Sequence, residues 1–210
     1  ELYTSAVYGE GTMAANLYDW SDNTDAGWVG TFPGFEGGGG YWFVASEPFQ
    51  FEYNEPVPGA FFSIHEQPPV PEKYQFVQST SQYFYLITEA VINDAEVNTG
   101  DWVVAKCNDV VVGSRSYVQG KMIDVPIMGY YNNSDVPKLR DATAGYCSPG
   151  DYPEIEVHRL NGEIVEMEVT LHEKSPGTKV FPGGPVGHAI VSLNNNPGIP
   201  QAVTLHEAYP

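Results

Sequence analysis

The sequence consists of short apolar runs separated by turn pairs such as Asn-Asp, Asn-Gly and Gly-Asp. The clearest case is residues 100–112, GDWVVAKCNDVVV, in which two apolar runs flank Asn108-Asp109. A two-residue connection of this type needs positive φ at both central positions, and Asn and Asp tolerate that conformation better than most residues. We therefore expect a β-hairpin here, at the centre of a β-sandwich.

A second hairpin is predicted around Asn161-Gly162, the strongest short hairpin signal in the chain. In the following run, residues 163–171, apolar and polar side chains alternate, which is typical of a strand with one buried face. The chain also contains 22 Gly and 17 Pro, and no segment shows sustained helical periodicity. These features predict an all-β protein with an antiparallel sandwich.

Composition along the chain predicts four parts. Residues 1–66 are rich in aromatic residues and glycine and are expected to form a smaller β-module, and residues 67–72, QPPVPE, a proline-rich linker. Residues 73–172 are expected to form the sandwich, with a long polar loop at 130–144. Residues 123–128 should form an edge strand or a bulged one, because Pro126 cannot donate to a ladder. Residues 173–210 should contribute one strand, at 188–193, and a tail.

The net charge of the chain indicates which classes of partner it can bind. The chain carries 27 Asp and Glu against 9 Lys and Arg, a formal net charge of −18. Such a surface repels nucleic acid and anionic membranes, so we expect neither as a partner. No stretch approaches the roughly 18 apolar residues of a membrane-spanning helix, and membrane insertion is not expected.

The two cysteines, Cys107 and Cys147, each lie next to a predicted turn. If both turns lie at one end of the sandwich, the two sulfurs could come within bonding distance. The alternative is two separate buried thiols. A disulfide would close a loop of about 40 residues, worth roughly 3–4 kcal/mol in the chain-entropy account.

One polar loop is a candidate for metal binding. It places four oxygen-bearing side chains close together in sequence, namely Asp19, Asp22, Asn23 and Asp25. Calcium takes six to eight oxygen ligands from flexible loops of this kind. The spacing differs from that of an EF-hand and lacks its closing Glu, so the alternative is a loop of Asx-turns facing water. No other cofactor is expected.

Catalytic motifs are missing from the sequence. The five histidines are not arranged as HExxH, and no GxSxG elbow is present. We therefore expect no catalytic residues and predict that the protein is not an enzyme.

Aromatic residues near turns and glycine runs are the candidates for binding. Four of them, Tyr41, Trp42, Tyr130 and Tyr131, could stack on sugar rings or anchor a protein interface. The alternative is that these rings fill the cores of small modules that contain few aliphatic side chains.

Several segments resemble known sequence patterns. Residues 199–210, IPQAVTLHEAYP, resemble the junction that precedes the C-terminal sorting domain of type IX secretion cargo proteins. The phrases QSTSQYFYLI (78–87), GDWVVAKCNDVVVGSR (100–115), DVPIMG (124–129) and AGYCSPGDYPEIEV (144–157) resemble an extracellular β-module found beside such domains. EGGGGYWFVAS (36–46) resembles a strand of small β-modules in the same proteins. The resemblance implies export to the cell surface or beyond, and an adhesive or structural role.

Two functions follow as hypotheses. The first is a non-catalytic, secreted structural or adhesive protein that self-associates into a filament-like homopolymer by strand pairing, with residues 2–7 and 188–193 as the pairing strands. The second is an accessory glycan-binding module of a larger secreted hydrolase.

Overall fold

The computed structural model describes residues 3–9, 11–17, 27–32, 34–35, 41–45 and 68–195 of the 210-residue chain. Its architecture confirms the all-β, sandwich-like fold class. The strands within these ranges are β1 Tyr3–Tyr8, β2 Met13–Leu17, β3 Gly27–Gly30, β4 Trp42–Ala45, β5 Gln82–Ile92, β6 Ala95–Glu96, β7 Trp102–Cys107, β8 Val110–Ser116, β9 Ile123–Met128, β10 Glu154–His158, β11 Ile164–Leu171 and β12 His188–Asn194. A 3-10 helix covers Glu72–Tyr74, and α1 covers Pro137–Ala142.

The first four strands form the small sheet, an antiparallel sheet in the order β3-β2-β1-β4. Side chains alternate between the two faces of each strand, so the small sheet has an inner and an outer face. The inner face packs against the larger sheet. Ala6, Tyr8, Met13 and Ala15 are buried there against Phe84, Leu86 and Ile190. The predicted N-terminal module thus forms one layer of the sandwich.

The remaining eight strands form the large sheet, in the order β6-β5-β12-β11-β10-β7-β8, with β9 also paired to β5. This sheet curls until β8 approaches β9, where Arg115 Nε donates to the Asp124 main-chain oxygen at 2.7 Å. The concave side encloses the main core. Its fully buried members include Tyr85, Ile87, Val103, Ala105, Val112, Val125, Ile127, Val157, Ala189 and Val191.

The predicted turns are present. β7 and β8 form the expected central hairpin, with φ of 50° at Asn108 and 62° at Asp109. β10 and β11 form the second hairpin, in which Arg159 N donates to Glu163 O at 2.8 Å and Gly162 has φ 90°. β9, which carries Pro126, is an end strand that pairs with β5, as predicted.

The large sheet also differs from the prediction in two ways. β12 lies between β5 and β11 and runs parallel to β5, so the sheet is mixed rather than wholly antiparallel. Its residues Ala189, Ile190 and Val191 are all buried, because one face meets the core and the other meets the small sheet. The loop expected at 130–144 contains α1, which begins at Pro137; six residues are too few to show helical periodicity in a sequence.

Candidate functional site

A buried ion pair ties the two sheets together. Asp124 on β9 is fully buried, and its Oδ2 lies 3.3 Å from Arg115 Nη2 on β8. The same oxygen accepts from Met13 N at 3.1 Å and from Thr31 Oγ1 at 2.8 Å, both in the small sheet or next to it. Arg115 Nη2 also donates to the main-chain oxygen of Gly11 at 2.7 Å. The pair therefore fixes the position of the small sheet on the large one.

The electrostatics of Asp124 follow from this position. Burial raises the pKa of the Asp124 carboxyl, while the Arg115 charge and the hydrogen bonds from Thr31 and Met13 oppose that shift. Asp124 is fully buried at the joint between the sheets, where its contacts join β9 and β8 to the small sheet.

A second polar contact crosses the same joint. The Tyr8 hydroxyl of β1 lies 2.7 Å from His188 Nδ1 at the start of β12, and both residues are buried. Burial lowers the pKa of His188 to about 4. The imidazole is therefore neutral near neutral pH, which suits a hydrogen bond within an apolar interface.

The predicted disulfide is present. Cys107 at the end of β7 is bonded to Cys147, and their Cα atoms are 5.3 Å apart. The main chain of Cys147 also forms an isolated parallel β-bridge with Gly129, and its oxygen accepts a hydrogen bond from Tyr130 N at 2.9 Å. The bond therefore ties the segment that carries α1 to the end of the central hairpin.

The outer face of β7 and β10 carries an ionic cluster. Glu156 accepts from Lys106 Nζ at 2.8 Å and lies 2.6 Å from His158 Nε2. Burial opposes the ionisation of Glu156, but these two contacts outweigh it and lower the pKa. The Tyr74 ring packs edge-on against His158 and beside Trp102. Because both oxygens of Glu156 are engaged, the cluster locks adjacent strands together.

The uncharged edges of the small sheet are the candidate functional site. Along the described strands, β3 and β4 are its outermost members, and neither contains a charged residue. Large apolar side chains are exposed on both: Trp28 is 47% exposed, Trp42 40%, Phe43 42% and Val44 39%. Three of these four side chains belong to consecutive residues of β4, and neighbouring exposed apolar residues mark an interaction site more often than isolated ones do.

Aromatic rings extend this surface beyond β4. Phe35 stacks on Phe43 with ring centroids 5.5 Å apart, and it meets the Tyr41 ring edge-on at 4.9 Å. Phe32 packs against both Phe35 and Tyr41, at 5.1 and 5.5 Å. These ring contacts support one another and hold this part of the small sheet in shape.

The four predicted stacking residues come from different sheets. Tyr41 and Trp42 lie at the β4 edge of the small sheet, where Tyr41 is half-buried and Trp42 exposed. Tyr130 and Tyr131 follow β9 of the large sheet, and both are half-buried. Tyr130 packs against the main core, and Tyr131 N donates to Thr143 Oγ1 at 3.1 Å. Trp42 is therefore the most accessible of the four.

The two strands expected to pair with another subunit occupy interior positions. β1, which covers most of residues 2–7, lies between β2 and β4. β12, which covers residues 188–193, lies between β5 and β11. Both sides of each strand are already paired within the chain, so among the strands that the structure describes the outer positions of the small sheet belong to β3 and β4.

The candidate calcium loop, Asp19, Asp22, Asn23 and Asp25, lies outside the described residues. Within the part that the structure describes, no group of three or more His, Cys, Asp or Glu side chains is arranged to hold a metal ion. None of the helices in the described ranges is long and apolar enough to cross a membrane.

Sequence reasoning gave no role to the polar residues that join the sheets. Asp124 is a lone acid between Ile123 and Val125, and a charge inside an apolar strand is itself a signal that it has a buried partner. His188 opens an apolar strand in the same way, and its partner Tyr8 lies 180 residues away in sequence. The partners could not be found, because contacts at that separation leave no local pattern.

Comparison with known proteins provides no functional assignment. No protein-family model matches the chain, and searches of curated proteins and of solved structures found no significant match.

Proposed function

We propose that this protein is a non-catalytic, secreted structural or adhesive protein that self-associates at the edges of its small sheet. The observation that carries the proposal is the pair of uncharged outer strands, β3 and β4, with exposed Trp28, Trp42, Phe43 and Val44. Exposed apolar side chains that neighbour one another are typical of protein interaction sites. Natural proteins commonly place charges on outer strands, and these two strands contain none.

The proposed compartment is extracellular or on the cell surface. The Cys107–Cys147 bond supports it, because disulfides persist in oxidising compartments. The resemblance of residues 199–210 to the junction before a type IX sorting domain supports it independently.

A non-catalytic role is supported by where the perturbed ionisable groups lie. Asp124 and His188 are buried between the sheets, where they hold them together. Glu96, whose pKa is lowered by a hydrogen bond from Gly120 N despite the effect of burial, secures the turn after Tyr117. Each of these groups is used in building the fold.

The test is sedimentation velocity on the full chain over a dilution series, in enough salt to screen the net charge of −18. We expect the weight-average mass to rise with concentration. Val44→Glu, which places a charge on the β4 edge, should shift the chain to monomer. Leu160→Glu is the matched control, because Leu160 is 76% exposed in the turn between β10 and β11 and its substitution should leave assembly unchanged.

Two results would reject the proposal. One is a wild-type chain that stays monomeric at every concentration. The other is equal disruption by Val44→Glu and Leu160→Glu, which would show that added negative charge, rather than the β4 edge, controls assembly.

A glycan-binding role is the second candidate, and the exposure of Trp42 favours it. Flat aromatic side chains stack on the apolar faces of sugars. A glycan array with the full chain should then give hits that Trp42→Ala removes. Tyr152→Ala should keep them, because Tyr152 is 70% exposed but lies in the loop before β10. An array without hits eliminates this candidate.

A further inference from the structure

One half of β11 is paired on one side only. Residues 164–167 pair with β10, whereas β12 pairs with β11 only over residues 168–171. Among the strands that the structure describes, none lies beside residues 164–167 on the side away from β10. We call these four residues the β11 edge. An added strand could extend the large sheet at this place.

The hydrogen-bond pattern fixes the direction of the main-chain groups of β11. Arg159 N donates to the directly opposite Glu163 O at 2.8 Å, so odd-numbered residues of this strand direct their main-chain groups toward β10. At the other end, His172 N donates to Ile190 O at 2.9 Å, so even-numbered residues direct theirs toward the side of β12. The two observations agree, and they place the outward groups of the β11 edge at positions 164 and 166.

Ile164 and Glu166 are therefore the residues that an added strand would meet. Within the described ranges, no hydrogen bond engages the main-chain N–H or C=O group of either residue. Both side chains are exposed, and that of Ile164 is 58% exposed. An extended segment beside them would gain main-chain hydrogen bonds without displacing any described strand.

The face of the sheet beside the β11 edge carries opposed acidic groups. Glu156 of β10 lies directly opposite Glu166, and like charges in this arrangement destabilise a sheet. Glu156 is paired with Lys106, whereas no described Lys, Arg or His forms an ion pair with Glu166 or Glu168. The side chains of Glu166 and Glu168 are exposed on one face, because alternate residues of a strand share a face. A cationic side chain placed beside them would offset the repulsion.

We propose that the β11 edge binds an extended segment of another protein that carries Lys or Arg at alternate positions. The main chain of this segment pairs with the outward groups of Ile164 and Glu166. Its cationic side chains then lie on the outer face, beside Glu166 and Glu168. This site is on the large sheet and is separate from the self-association proposed for the small sheet.

Charge complementarity selects this partner over two others. A second copy of the chain also carries a net charge of −18, and pairing β11 with β11 of that copy would bring the acidic rows of both chains together. Residues 196–210, which follow β12 and lie outside the described residues, contain no Lys or Arg. A separate cationic segment therefore fits the β11 edge better than either.

A labelled peptide tests the proposal on the full chain. The probe is a fluorescein-labelled hexapeptide, Lys-Thr-Lys-Val-Lys-Thr, whose lysines share one face when it is extended. Binding is measured by fluorescence anisotropy in about 150 mM salt, which screens charges more than about 8 Å apart. The control peptide has the same charge but is methylated at the main-chain nitrogen of each lysine. It should bind about tenfold more weakly or worse, because it lacks the N–H groups that would pair with the β11 edge.

A matched pair of variants locates the site. Glu166→Gln should weaken binding of the unmethylated peptide several-fold, because it removes the charge nearest the bound strand. Glu173→Gln removes the same charge from an exposed residue beyond the opposite end of β11, and it should leave binding unchanged. Equal effects of the two variants, or equal affinity for the two peptides, would show only a general attraction to an acidic chain and would overturn the proposal.

Amide hydrogen exchange, followed by NMR on the full chain, tests the edge directly. Without peptide, the amides of Ile164 and Glu166 should exchange fast, while those of Val165 and Met167, which face β10, should be protected. The peptide should slow exchange at Ile164 and Glu166. Protection of both amides before peptide is added would mean that the chain itself covers the edge, and it would overturn the proposal. None of these outcomes depends on self-association at the small sheet.

Discussion

At the scale of single residues, the Arg115–Asp124 pair is a buried ion pair at the joint between the sheets. Removing one partner of a buried ion pair leaves an uncompensated charge and costs about 3–5 kcal/mol. Asp124→Ala should therefore lower the free energy of unfolding by about that amount, measured by urea titration. It also removes the acceptor of Met13 N and Thr31 Oγ1.

A double variant distinguishes the contribution of the ion pair to stability from the contribution of packing at the same place. Arg115→Met combined with Asp124→Leu removes both charges and keeps apolar volume at the joint, so it should recover much of the lost stability. If the double variant is as unstable as the sum of the single variants, the two residues do not act as a pair.

His188 gives a prediction for pH. Burial lowers its pKa from 6.5 to about 4, so between these values the unfolded chain binds a proton that the folded chain does not. The contribution of His188 is fully present above pH 6.5 and is lost as the pH falls toward 4, up to about 3 kcal/mol. His188→Gln should flatten this part of the stability profile. An unchanged slope would show that His188 does not titrate in this way.

Gly113 is required where β8 meets β9. A Cβ at this position would lie 1.6 Å from the Pro126 main-chain oxygen, so Gly113→Ala must force the two strands apart. We expect a loss of several kcal/mol or failure to fold, since a backbone atom cannot turn aside as a side chain can. Gly120→Ala is the control: nothing lies within 4 Å of its Cβ, and its φ of 70° costs about 1–2 kcal/mol. Equal effects of the two substitutions would contradict the close approach.

At the scale of elements, the sequence predicted where the strands lie better than it predicted which strands pair with each other. The alternation in residues 163–171 and the Asn-Asp pairs are local signals, and β11 and the hairpin of β7 and β8 follow them. The position of β12 between β5 and β11 depends on pairing with residues of β5 about 100 positions away in sequence. No local sequence pattern can predict such a pairing. The stacking of the small sheet on the large one is a long-range contact of the same kind.

The candidate site was partly visible in the sequence. Trp42 was singled out because it follows a glycine run, and its exposure agrees with a role in binding. That β4 is an outer strand could not be read from the sequence, because edge position depends on which strands pair. Residues 2–7 were expected to pair with another subunit, whereas β1 is paired on both sides within its own sheet.

The disulfide is the strongest constraint on the segment that carries α1. It joins residues 40 positions apart, and the loop-closure account assigns it about 4 kcal/mol. The double variant Cys107→Ala with Cys147→Ala should lose roughly this much stability in urea titration. Amide hydrogen exchange should also show loss of protection at Tyr130 and Tyr131, whose main-chain N–H groups bond to Cys147 O and Thr143 Oγ1. Protection that persists there would mean the loop is held without the bond.

At the scale of the whole molecule, the two sheets have different roles. The large sheet encloses the main core, carries the disulfide and holds the ionic cluster of Glu156. The small sheet is fixed to it by Asp124 and His188, and its two outer strands are uncharged. The exposed apolar side chains of these outer strands are the basis of the self-association proposed above.

The most direct test of this account is electron cryomicroscopy of the full chain at high concentration and moderate salt. The account predicts assemblies of several copies in contact through the exposed apolar side chains of β3 or β4. Single particles at every concentration would contradict it.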